Sequence, residues 1–76
     1  MMNFIFDQVI DAIEKERPEL EGWCEDKRAE YMDMGKLEAL RWVAFSLDAK
    51  NQTIACRALG IAETDLPALK RILQVI

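Results

Sequence analysis

The 76-residue chain has no histidine, one serine (Ser46), three glycines and two cysteines, and each scarcity removes a class of chemistry. Without histidine there is no Ser-His or Cys-His pair to activate a nucleophile, and two separated thiols make neither a zinc site nor a disulfide framework. Cys24 and Cys56 are therefore expected to be buried and reduced. No glycine-rich phosphate loop and no calcium-loop spacing occur, and neighbouring carboxylates such as Glu21, Glu25 and Asp26 read as solvated helix faces. The expectation is a protein without catalytic activity, metal or cofactor. Long apolar runs are missing too. The N-terminal "MMNFIFDQVIDAIEKER" has no basic leader and is interrupted by Asp7, Gln8 and Asp11, so neither a signal peptide nor a spanning helix is expected, and a cytoplasmic location in a bacterial or host cell follows.

What remains is a helical chain. Strand-like runs of β-branched residues are absent, and 51% apolar with 32% charged residues is a mixture that folds. Its length suits one domain, 1–76. Phe6, Val9, Ile10 and Ile13 recur at helical spacing behind Asn3, which predicts a first helix over 4–16. Pro18 ends it and opens a second helix with Leu20, Trp23, Cys24, Tyr31 and Met34 on one face, stopped at Gly35. In "KLEALRWVAFSLDAK", Leu37, Leu40, Ala44 and Leu47 form a stripe that Trp42, Val43 and Phe45 widen, so this third helix is expected to be the hub. Asn51 is the expected cap of a fourth helix ending at Gly60, and a fifth begins near Glu63 or Thr64 with Leu66, Leu69, Ile72 and Leu73 inward. The predicted fold class is all-α: a compact bundle of about five short helices with a helix-turn-helix-like C-terminal half.

Charge divides the chain into an acidic helical pair, 1–35, and a mildly basic unit, 36–76. The first holds ten acidic and four basic side chains, net -6, and the second four acidic and six basic, net +2. Within the second, Gln52 and Thr53 open a segment in which Ala55 and Cys56 are small where helices cross. Leu59 precedes a turn glycine, Gly60, and Ile61, Leu66 and Leu69 are core positions. On these residues Gln52 to Arg71, about a quarter of the chain, resembles the helix-turn-helix unit of the Cro and repressor type, although ordinary αα-hairpins share the spacing. Cys56 stands where alanine is usual. The resemblance implies DNA contacts from the first turn of the second helix, where this chain offers Ala62, Glu63, Thr64, Pro67, Ala68 and Arg71. Thr64 and Arg71 suit base edges, and Lys50, Arg57 and Lys70 suit phosphates. Glu63 and Asp65 oppose phosphate.

The acidic half offers another surface. Glu14, Glu21, Glu25, Asp26, Glu30 and Asp33, with Trp23 and Tyr31 as aromatic anchors, suit a partner protein with a basic surface, unless acidity serves only solubility and both aromatics are core. Met1, Met2, Phe4 and Ile5 form an apolar terminus suited to docking or homodimerisation. In length, acidity and lack of catalytic residues the composition is similar to that of small phage-encoded inhibitors, anti-CRISPR proteins among them. The leading reading is thus a non-enzymatic regulator or inhibitor acting by protein binding. The alternative is a dimeric helix-turn-helix transcription regulator, in which two copies double a weak basic patch. No membrane partner is expected.

Overall fold

The computed structural model describes residues 4–31 and 33–75, and every regular element among them is helical. Five α-helices follow in order: α1 (Phe4–Glu16), α2 (Glu21–Glu30), α3 (Lys36–Phe45), α4 (Ala49–Leu59) and α5 (Leu66–Val75), with 3-10 turns at Pro18–Leu20 and Glu63–Asp65. None is long and apolar enough to cross a membrane.

The hub is α1, where the width of the apolar surface on α3 had suggested α3. Phe6, Val9, Ile10 and Ile13 are each at most 2% exposed, and α1 packs on α4 most extensively, then on α2 and α3. Burying four such side chains is worth about 6–12 kcal/mol gross, which is the size of a whole domain's net stability. The broad apolar surface of α3 is shared differently. Ala39, Trp42, Val43 and Ala44 are buried, α5 covers part of the remainder, and Leu37 and Phe45 stay exposed.

Helix ends follow local chemistry, with two departures from expectation. Arg17, preceding Pro18, leaves the helical region at φ -131°, ψ 73°, as the proline ring requires. The helix expected from Pro18 to Gly35 is shorter: a 3-10 turn precedes α2, which ends at Glu30, and Tyr31 and Met34 lie beyond it. Tyr31 sits instead with its ring 5.9 Å from those of Phe6 and Trp42, and these tertiary contacts compete with continued helix. At α4 the cap is Asp48, not Asn51: Asp48 Oδ1 accepts the Asn51 backbone N–H at 2.9 Å. Leu47 lies in the turn before it. The carboxyl end of α3 is closed by Gln52, whose Nε2 donates to the carbonyls of Val43 (3.1 Å) and Ala44 (2.9 Å).

The bend after α4 forms as its glycine suggests. Gly60 is left-handed at φ 72°, ψ 24°, its N–H donates to Arg57 O, and the Ile61 N–H reaches Cys56 O at 2.9 Å, the paired pattern of a Schellman ending. In α5, Leu73 is buried and Leu66 and Leu69 are half-buried, but Ile72, expected inward, is 55% exposed. Leu73 takes the inward position that an ideal stripe shares with Ile72, so the bundle covers only part of the apolar side of α5. Of the apolar terminus, Ile5 packs half-buried against the core; Met1, Met2 and the expected cap Asn3 lie outside the described residues.

A Cβ meets nothing within 4 Å at Gly22 or at Gly60, so backbone conformation alone sets the effect of adding one. Gly22→Ala, inside α2, is expected to stabilise by about 0.5–1 kcal/mol. Gly60→Ala is expected to destabilise by about 1–2 kcal/mol. Urea unfolding of both variants checks the opposite signs.

Candidate functional site

Along α1, Asp7, Asp11 and Glu14 follow i, i+4, i+7 spacing, and on α2 Glu21, Glu25 and Arg28 do the same. The stripes meet at Arg28. Its Nη2 lies 2.7 Å from Asp11 Oδ1 and 3.0 Å from Glu14 Oε1, while Nη1 lies 3.3 Å from Glu14 Oε2 and 3.5 Å from Glu25 Oε1. Hydrogen bonds to Glu14 and then Asp11 raise the guanidinium pKa further above its ordinary value, so Arg28 is always charged. Three carboxylates around one guanidinium leave the α1/α2 seam with two excess negative charges.

Glu21, Asp26 and Asp33 are exposed and form no ion pair among the described residues. Glu30 lies 3.3 Å from Lys27, an exposed pair of small energetic weight. Thus Glu14 is tied to Arg28 by hydrogen bonds and Glu25 pairs with it from an exposed position, whereas Glu21, Asp26 and Asp33 face water with no ion pair among the described residues. Asp11 was absent from the expected acidic set, although its spacing from Asp7 and Glu14 carried the signal.

Tyr31 stands beside two of these carboxylates, lining a shallow depression with Glu30, Asp33 and Glu38, whereas Trp23 lines only the groove on its other side. Both aromatics are half-buried and, with Trp42, line this open groove of about 410 Å³. The Trp23 and Trp42 rings stack with centroids 6.3 Å apart and planes at 19°. Lys27 Nζ lies 5.3 Å from the Tyr31 ring centroid and 6.0 Å from that of Trp23. On the α4 side the groove is bounded by Asp48 and by Asn51, which is 3% exposed and accepts a hydrogen bond from Arg17 Nη1 at 2.8 Å. Sequence reasoning missed Arg17, Trp42, Asp48 and Asn51 as groove residues, because they converge from three separate segments.

The residues suited to DNA are scattered in role. Lys50, Thr64 and Arg71 are exposed, and Lys70 is half-buried. Arg57 Nη1 instead pairs with Glu16 Oε1 of α1 at 2.9 Å. Glu63 and Asp65 flank Thr64 on the 3-10 turn, and Glu63 borders a smaller groove of about 230 Å³ with Gln52, Thr53, Cys56 and Leu66. Phosphate binding here is opposed by the two carboxylates of the turn. No group of three or more histidine, cysteine, aspartate or glutamate side chains is placed to hold a metal ion among the described residues. No protein-family model matches the chain, and no curated protein or solved structure matches it either.

Both thiols are free and buried. Burial pushes each upward from 9.0, reinforced by Glu14 at Cys24 and by Glu63 at Cys56. A raised folded-state value means that the thiols' stabilising contribution is complete below pH 9 and is lost above it, as the unfolded chain releases its protons first. Native protein is expected to resist a thiol-specific disulfide reagent at pH 8 and to react fully once unfolded. Between pH 8 and 10 the urea midpoint should fall more steeply than in the C24A/C56A variant; equal slopes would contradict the assignment.

Proposed function

We propose that the chain is a small, non-enzymatic regulatory or inhibitory protein that binds the basic surface of a partner protein through the α1/α2 seam. The observation that carries this reading is the seam's uncompensated charge: Asp11, Glu14 and Glu25 outnumber Arg28, and Glu21, Asp26 and Asp33 extend the same sign into water. A one-sign field of this kind speeds encounter and selects partners by charge. The compositional similarity to phage-encoded inhibitors, anti-CRISPR proteins among them, agrees with such a role. It suits a protein acting in the cytoplasm of a bacterial or host cell.

The bend at Gly60 favours a second reading, a dimeric DNA-binding regulator contacting bases with Thr64 and Arg71 and phosphates with Lys50, Arg57 and Lys70. Against it stand Glu63 and Asp65 at the first turn and the engagement of Arg57 by Glu16. Salt-sensitive retention of a specific DNA fragment, lost on Arg71→Ala, would favour this reading over protein binding.

Affinity capture from the native host separates the two. Wild-type protein should retain a partner protein that elutes with rising salt. The E21K/D26K/D33K variant should hold that partner more weakly by on the order of 100-fold, at about 1 kcal/mol per reversed charge. Undiminished retention by the variant excludes the water-facing carboxylates Glu21, Asp26 and Asp33 from the docking surface.

A further inference from the structure

We propose that the groove walled by Trp23, Tyr31 and Trp42 binds a small organic carboxylate, a ring-sized apolar body with one negative charge. This role is separate from the docking of a partner protein at the acidic seam. What points to such a ligand is a surplus of hydrogen-bond donors on nearly buried side chains. Asn51 and Trp42 are 3% and 7% exposed, and both border the groove. Asn51 gives Oδ1 to Arg17, while its Nδ2, like Trp42 Nε1, donates to no acceptor among the described residues. No sealed side-chain nitrogen or oxygen among those residues lacks a partner, so both N–H groups keep contact with water, and the groove is the opening that the two residues share. Arg17 adds Nη2, since Nη1 is taken by Asn51 and Nε by Glu19. Donors held this way, with no acceptor of their own, call for a ligand that accepts.

The charges of the lining select the same ligand. Arg17 and Lys27 stand against one carboxylate, Asp48, whose Oδ1 accepts the Asn51 backbone N–H at the start of α4, where the helix dipole favours a negative charge. Glu19 and Glu30 pair with the two cations at 3.4 and 3.3 Å from outside the lining, with side chains 65% and 54% exposed, and such pairs hold a cation weakly. One excess positive charge in the lining suits a monoanion. A cationic ligand is disfavoured because Lys27 already lies over the Tyr31 and Trp23 rings. An acidic protein or a nucleic acid is disfavoured by the chain's net charge of -4 and by the carboxylates of the α1/α2 seam, whereas a free molecule with a single charge meets little of that repulsion. Leu20, Leu47 and the aromatic rings supply an apolar wall for its body, and about 410 Å³ lies within the range of small-ligand sites.

The test follows the indole N–H signals of Trp23 and Trp42 in the full-length, 15N-labelled chain during titration with naphthoate, naphthylmethylammonium and acetyl-Gly-Glu-Gly-amide. Naphthoate is expected to move the Trp42 signal downfield and to saturate it, as that N–H gains a carboxylate acceptor. The ammonium compound, with the same ring and the opposite charge, should bind more weakly by about tenfold or more. Asp48→Asn keeps a competent helix cap while removing the opposing charge, and should tighten naphthoate binding about threefold. Lys27→Met removes a cation and should weaken it about fivefold. Opposite shifts of this kind cannot both come from a loosened fold. An ammonium compound that binds as well as naphthoate, or a Trp42 signal that naphthoate leaves in place, overturns the proposal. Unchanged naphthoate affinity in both D48N and K27M, or shifts of the reverse sign, overturns it as well. Tighter binding of the glutamate peptide than of naphthoate overturns the assignment to a small molecule and indicates an acidic protein segment. The acidic seam stands or falls separately, on partner retention by E21K/D26K/D33K.

Discussion

Everything in this bundle is arranged around the burial of one side of α1. Phe6, Val9, Ile10 and Ile13 are sealed between α2, α3 and α4, and a helix sealed along that stripe can place its charges only on what remains. Asp7, Asp11 and Glu14 occupy that remainder, and Arg28 of α2 closes onto two of them. The acidic seam is thus the outer side of the helix that makes the core. Its position is fixed by apolar packing, which dominates the energy, while the exposed ion pairs contribute little.

The antiparallel crossing of α1 and α4 is held by polar contacts as well, and these bear on function. Gln8 Nε2 donates to Ala58 O at 3.2 Å, its neighbour Arg57 donates to Glu16, and Arg17 donates to Asn51 in the first turn of α4. Arg57 is one of the two cations, with Lys50, that α4 could offer to phosphate, and α1 has engaged it. At Asn51 the fold and the groove share parts. Its backbone N–H donates to the Asp48 cap and its side-chain oxygen accepts from Arg17, so a first-turn residue of α4 also fixes one wall of the aromatic groove.

Local signals in the sequence were read correctly where local chemistry decides the structure. The limits of α1 follow from its apolar spacing and Pro18, and the Gly60 bend follows from the need for a left-handed residue. The end of α2 was not legible, because it depends on Tyr31 reaching Phe6 and Trp42, residues distant in sequence. The cap of α4 was misplaced for a related reason: Asn51 is a good capping residue, but its side chain is engaged by Arg17 from another helix. Of the expected site, Glu21, Asp26 and Asp33 stand in water. The aromatic pair could be named from sequence but not located, since the groove exists only where Trp23 meets Trp42.

Two surfaces of different chemistry converge on α2, which is ten residues long and buries only Cys24 completely. A helix this short is marginal alone, so its stability must come from its neighbours. Those ties run in two directions. Arg28 binds carboxylates of α1 on one side, and Trp23 stacks on Trp42 of α3 on the other. With one core position to satisfy, most of α2 is free to vary without disturbing the interior, unlike α1, where four positions are sealed.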